Sequence, residues 1–407
     1  MSPAKRQSRA GVEAAAAATA GIAFGPSTML ALTFGSVAAA YSNALGVSRS
    51  QVMLTVTLLT LTLVAIAPVQ GCLIDRLGVR KVVLWSGAAF TAGLALFSVW
   101  SLDLLSLYTG YVLLGIAAVG LWPPSYLRVV AGWFDGRLGL ALGVANSGIG
   151  IGTALLPVLI HFALVSGGWR VAIGALAIIA ALIVVVNWFL LTESPDRCPP
   201  RNQAQTEHSQ ESYKGGFLSL LQASPALRWL VLAFFFLGFP TTGLIVTQSM
   251  LLSDRGLSAT QVTFAMTVFG ICLILARIGA GLALDRFSAT SIITLTTLGA
   301  AVAALILMSD VQVALVYIAV PLIAFALGAE FDVAAYLAKR LIGIDYFGRG
   351  YALIYGAFQL AGAIGAPLLA LSFERFGSYA PALIAYSVSF GVCVCCFHFR
   401  IRGFANA

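Results

Sequence analysis

Long apolar stretches separated by short polar breaks dominate the chain; Leu54 to Gln70 and Val171 to Leu191 are two that run without interruption. A membrane-spanning helix needs about 20 such residues, whereas the strands of a membrane barrel are short and alternate apolar with polar positions. The pattern therefore predicts helices throughout. Spans are expected near 12–42, 50–74, 80–101, 105–131, 138–165, 169–192, 226–252, 259–284, 288–309, 312–338, 350–373 and 379–399. The expected fold is an all-α membrane protein of twelve transmembrane helices in two pseudo-symmetric six-helix bundles. Residues 1–192 form the first, 225–407 the second, and 193–224 a cytoplasmic linker that holds the one long hydrophilic run, SPDRCPPRNQAQTEHSQESYK.

Composition removes the soluble alternatives. Of 407 residues, 60% are hydrophobic and 9% charged, and the mean hydropathy is +0.97, so little sequence is left for an aqueous domain. A net charge of +8 could suggest nucleic acid, but the basic residues gather at span ends, as membrane orientation requires. With the N-terminus inside, Arg49, Arg170, Arg255 and Arg375 fall in outer loops and Arg277 in a span. The other eighteen of the 23 Lys and Arg face the cytoplasm. Both termini are expected there, in a multi-pass cell membrane protein, placed in the inner membrane if bacterial. The Ala-rich start after Lys5, Arg6 and Arg9 is expected to be a retained first helix. The six cysteines sit mostly in apolar runs and read as packing residues, with no metal site and no disulfide.

The two halves repeat. Gly71-x-x-x-Asp75-Arg76 recurs as Gly281-x-x-x-Asp285-Arg286, and Ser125-Tyr126-Leu127 as Ala335-Tyr336-Leu337, both displaced by 210 residues. Phe134-x-Gly136-Arg137 has a looser counterpart in Phe347-Gly348-Arg349. Parallel six-span repeats imply a pseudo-twofold axis along the membrane normal.

Gly71, Asp75, Arg76, Gly78, Arg80 and Lys81 lie in the pattern G-x-x-x-D-R-x-G-x-R-K. The glycines permit a helix end and a tight turn; Asp75 can accept charge-assisted bonds or cap a helix, and the basic residues can reach acids or carbonyls. With Asp285 and Arg286, these residues are candidates for a cytoplasmic gate. The pattern resembles the cytoplasmic loop signature of the major facilitator superfamily. Trp133-Phe134-Asp135-Gly136-Arg137, the glycine-rich fifth span, Gly168-Trp169-Arg170 and Arg277 are similar to its monocarboxylate and oxalate/formate transporter branch. The resemblance implies the major facilitator fold and a transporter, not an enzyme. One departure is that Gly11-Val12-Glu13-Ala14 does not reproduce the acidic, Gly- and Trp-rich motif of animal-type monocarboxylate carriers.

Arg277 precedes Asp285 by eight residues, which places it about 12 Å inside its helix. A guanidinium at such depth costs at least about 2.5 to 3.5 kcal/mol, so it needs a wet cavity or an anion. The repeat-related position is Ala67, so the shared scaffold does not demand it. In the resembling carriers an arginine here binds the substrate carboxylate; the alternative is an ion pair with Glu330 or Asp332, which are themselves proton-coupling or gate candidates. Between Arg349 and Glu374 the eleventh span has no charge, where oxalate-type exchangers of the resembling group carry a second cation. One fixed cation favours a monocarboxylate over a dianion. Tyr355 and Gln359, four apart on one helical face, could bind the rest of the solute, as could Tyr126, Asn146 and Gln248. Each of these is as often an interhelical bond as a ligand contact.

The function expected is secondary active transport of a small organic anion, most simply a monocarboxylate, by alternating access with proton symport or anion exchange. The rival is proton-driven efflux of amphipathic compounds, with a membrane sensor or enzyme on the same scaffold more remote. The expected partners are a small carboxylate substrate, protons and the lipid bilayer, with no nucleic acid and no cofactor, in a monomeric carrier.

Overall fold

A computed structural model of the chain describes residues 3–47, 49–100, 103–134, 137–194, 217–308, 313–344 and 346–401. Among the described residues every regular element is a helix. These are α1 (Pro3–Ala23), a π-helical turn (Ser27–Leu32), α2 (Phe34–Leu45), α3 (Arg49–Leu77), α4 (Val79–Val99), α5 (Leu104–Ala117), α6 (Pro123–Trp133) and α7 (Leu138–Leu190). There follow α8 (Phe217–Ala223), α9 (Pro225–Asp254), α10 (Ala259–Leu284), α11 (Ala289–Met308), α12 (Val313–Ile342), α13 (Phe347–Phe376), α14 (Ala380–Cys396) and a second π-helical turn (Phe397–Ile401).

Ten helical segments among the described residues are long and apolar enough to cross a membrane. The 53-residue α7 holds two of the predicted spans, and α5 with α6 forms another, which accounts for twelve. The turn within α7 falls at Gly167 and Gly168. Gly168 has φ 74°, a left-handed backbone that a side chain would strain.

The first span, predicted as one helix, and the fourth, where Pro123-Pro124 is expected to hinge or kink the helix, are both broken, each for a local reason. In the first, Pro26 deprives the backbone of a donor. The hydroxyl of Thr28 then bonds the carbonyls of Ala23 (2.6 Å) and Gly25 (2.9 Å), and that of Thr33 those of Thr28 (2.9 Å) and Met29 (3.1 Å). In the fourth, Pro123 and Pro124 start a new helix, where a missing N–H costs nothing. Upstream of them Gly120 donates its backbone N–H to Ser86 Oγ at 3.0 Å. The predicted linker lies largely outside the described residues, which resume with α8.

The chain divides into two compact units, Met1–Asp135 with Val144–Pro199, and Gly136–Gly143 with Pro200–Ala407. The opening turns of α7 thus belong to the second unit. In the first, α3 packs on α5 and α1 on α6, around Trp122, Tyr126, Phe34 and Phe90, all buried. Tyr41 and Tyr111 bring their hydroxyls within 3.3 Å inside an aromatic cluster with Phe34, Phe97 and Trp169. In the second, α9 packs most extensively on α13, and α12 on both α10 and α11. Large apolar side chains such as Phe162, Ile178, Phe189, Leu295 and Val388 stay exposed. That is costly in water and free in hydrocarbon, where helix contacts depend on close packing and small residues.

Candidate functional site

The second unit gathers a buried polar cluster from three helices. Arg277 of α10 is 2% exposed, while Glu330 of α12 and Tyr351 of α13 are wholly buried. Asp332 is buried two residues beyond Glu330. Arg277 and Asp332 lie within electrostatic range of Glu330, and all three, with Tyr355, lie within range of Tyr351. Close helix packing sets the depth: a Cβ on Gly328 of α12 would stand 3.1 Å from the backbone N of Arg277, and one on Gly143 of α7 only 2.6 Å from its carbonyl oxygen.

The polar atoms of this cluster are incompletely satisfied. Nε and Nη1 of Arg277, both carboxylate oxygens of Glu330 and the hydroxyl of Tyr351 have no hydrogen-bond partner among the described residues. A buried polar group without a partner ordinarily costs about 1–3 kcal/mol, more when charged. Five such atoms on three helices meeting at one place are unlike the isolated exceptions of a packed interior.

An aromatic ladder borders the cluster. Tyr351 stacks on Phe347 (5.5 Å between centroids, 8° between planes) and on Tyr355 (6.3 Å, 21°). Phe331, which separates the two acids in sequence, meets Tyr355 at 5.4 Å and Phe358 at 5.1 Å. On α14, Cys393 is buried within electrostatic range of Glu330, near Thr297 of α11.

The remaining sequence candidates fall elsewhere. Gln248 of α9 is 2% exposed, with neither side-chain polar atom bonded among the described residues. Gln359 is half-buried on the face it shares with Tyr355. Tyr126 and Asn146 belong to the first unit and are fully buried. Tyr126 accepts a bond from Asn187 Nδ2 at 3.1 Å. With Asn187, Phe24, Gly25 and Phe90 it lines a cavity of only about 10 Å³, room for about one water, so here Tyr126 serves as an interhelical tie. A groove of about 470 Å³ between α4 and α5 has Asp103 as its one charged lining residue and holds none of the predicted residues.

The gate candidates have distinct partners. Asp75 forms a salt bridge with Arg128 of α6, both side chains less than a tenth exposed. Gly78, at φ 86°, makes the turn into α4, where Arg80 N–H donates to Glu193 Oε1 (3.0 Å) and Arg80 Nη2 to the Trp188 carbonyl (2.7 Å). Asp285 accepts from the backbone N–H groups of Gly139 (2.7 Å) and Leu140 (3.0 Å), placing a carboxylate on the positive end of α7. Gly71 is buried; Arg76, Lys81 and Arg286 are exposed.

Sequence reasoning missed Tyr351, Arg128, Asn187 and Gln70, whose Nε2 bonds Ser125 Oγ at 3.0 Å and the Trp122 carbonyl at 3.2 Å. A signal for Tyr351 was present: it precedes Tyr355 by four residues, hence on the same helical face. Arg128, a cation inside a predicted span, was another.

Comparison with known proteins fits this architecture. The sequence model of the Major Facilitator Superfamily matches residues 19–250 and 229–404, so the chain belongs to that superfamily and is a multi-pass membrane transporter of small molecules. Within it, the chain is 27% identical over 329 residues to rat (Rattus norvegicus) Monocarboxylate transporter 13, covering 78% of this chain and 72% of the relative. It is 24% identical to the Escherichia coli K12 MFS-type transporter YhjX, with 79% of each covered. The fold of the human organic anion transporter MFSD10 (TETRAN) superposes with a TM-score of 0.74 at 16% identity, over 98% of this chain and 100% of that one.

Proposed function

We propose that the protein carries a small monocarboxylate across the membrane by alternating access of two six-helix halves, residues 1–192 and 225–407, with both termini cytoplasmic. Arg277 takes the substrate carboxylate. The observation that carries this is its guanidinium, buried in a span with Nε and Nη1 unbonded among the described residues. A planar cation that never loses its proton is suited to a carboxylate. The kinship with a relative named as a monocarboxylate transporter supports the same substrate class.

Proton symport is the coupling favoured by charge counting. Among the described residues Glu330 shares the cluster with the Arg277 guanidinium, so the two balance each other before substrate binds. Adding an anion leaves negative charge in excess in a medium of low dielectric, and a proton arriving with the substrate balances it. Glu330, with both oxygens unbonded among the described residues, is the proposed proton carrier. Its charged and titratable surroundings are Arg277, Asp332, Tyr351 and Cys393. Tyr355, Gln359 and Gln248 are proposed contacts for the rest of the solute. The motif residues Asp75, Arg76, Arg80, Lys81, Asp285 and Arg286 are the proposed gate.

The test is uptake of radiolabelled formate, lactate and benzoate into proteoliposomes. We expect uptake of at least one acid, driven by an outside-acid pH gradient and lost in Arg277→Lys, which keeps the charge but not the planar fork. Exchange against internal acid with no response to the pH gradient would replace symport by antiport. Absence of uptake of any acid would remove the substrate assignment.

A further inference from the structure

We propose that Tyr351 is a substrate-contacting residue, whose hydroxyl donates to the same carboxylate that Arg277 neutralises, so that the two form a clamp specific for carboxylates. This rests on the proposed anion site and adds a member that the sequence did not single out.

The argument begins with the ring. Tyr351 is 0% exposed, and its phenol is held between Phe347 and Tyr355 by near-parallel stacking. A ring gripped on both faces turns poorly, so its hydroxyl has one direction to offer. That hydroxyl has no partner among the described residues, although it sits in a neighbourhood rich in acceptors, with Glu330 and Asp332 on the facing helix α12. A tyrosine serving only to pack would be replaced at no loss by phenylalanine, or would bond one of those acids. Instead the fixed ring keeps its donor in reserve, and an acceptor must come to it.

The chemistry of that acceptor follows from its neighbours. Arg277 offers further unbonded donors. An anion with more than one acceptor oxygen satisfies a guanidinium and a phenol together best. A carboxylate, with two oxygens and about four lone-pair positions, fits. The phenol also separates this site from a simple cationic well: it adds a directional bond without further charge, so a halide of equal charge gains less from it than a carboxylate does.

The experiment compares wild type with Tyr351→Phe in proteoliposomes, using whichever of formate, lactate or benzoate the wild type takes up fastest. Phenylalanine keeps both ring stacks and removes only the hydroxyl. We expect KM to rise about tenfold or more, the usual loss for a hydrogen bond to a charged group, with the melting temperature in detergent within a few degrees of wild type. In an Arg277→Lys background the same change should have a much smaller effect on ligand-induced thermal stabilisation, because neighbours acting on one carboxylate are not additive. An unchanged KM, or additive effects in the double variant, overturns the assignment while leaving Arg277 as the anion site. If the wild type moves none of the acids, the site reading and this extension fall together. If Tyr351→Phe lowers the melting temperature, Tyr351→His, which restores a donor, should recover affinity; failure to do so assigns Tyr351 to packing and refutes the clamp.

Discussion

Helix contact in this protein depends on glycines at backbone crossings, and one of them allows a worked prediction. Gly238 of α9 faces Phe358 of α13, where an added Cβ would stand 2.9 Å from both the Cα and the carbonyl carbon of Phe358. Those atoms belong to a helix and cannot rotate away as a side-chain tip could. The Phe358 carbonyl oxygen stands closer still, so reaching ordinary contact distances of about 3.5 Å requires the two helices to part by more than about half an ångström. Overpacking of this kind costs about 1–3 kcal/mol, partly offset by alanine's advantage over glycine in a helix, about 1 kcal/mol. Gly391 of α14, in the same unit, is the control, because an added Cβ there meets nothing within 4 Å. Gly391→Ala should gain the helix term alone. The two variants should therefore differ by the crossing cost, a gap of roughly 2–12 °C in apparent melting temperature for a unit of this size. Thermal unfolding in detergent, followed by a thiol-reactive dye at the buried cysteines, measures it. Equal melting temperatures, or a Gly238→Ala variant more stable than Gly391→Ala, would refute the claim that backbone contact holds α9 to α13.

Further outcomes are expected at the charged positions. Arg128→Gln leaves Asp75, whose side chain is 3% exposed, without that cation and should cost about 3–5 kcal/mol. Adding Asp75→Asn should recover most of the loss in the same melting assay. Asp285→Asn removes the negative charge from the first turn of α7, a change of about 0.3–2 kcal/mol. Amide hydrogen exchange should show faster exchange at Gly139 and Leu140, with other amides of α7 unaffected. The loss of acid uptake in Arg277→Lys and the raised KM of Tyr351→Phe complete the set.

The twelve spans were legible because lipid imposes a simple rule: backbone groups must be satisfied within each segment, so apolar length alone marks a helix. Arg277 was legible for the related reason that a cation in such a segment stands out. Local pattern also held the causes of the broken first and fourth spans, in Pro26 and in Pro123-Pro124, but not the outcome. Whether a proline kinks a helix or ends it depends on what compensates the lost bond. Here the hydroxyls of Thr28 and Thr33 support a π-helical turn, and in the fourth span Ser86, on another helix, bonds Gly120.

By itself, then, the sequence determined the membrane, the helices and the presence of a cation inside an apolar span, since hydropathy and spacing are properties of single segments. Only the tertiary structure decided partnership. Tyr126 and Tyr351 are both tyrosines in apolar helices, yet one is tied to Asn187 and the other has its hydroxyl unbonded among the described residues, within electrostatic range of Arg277 and Glu330. Spacing puts Tyr351 on the face of Tyr355, but neither segment says what its hydroxyl will meet, because a hydrogen bond depends on which helix lies opposite and how closely it approaches. That approach is set by glycines such as Gly328 and Gly143, far from Arg277 in sequence and against it in space.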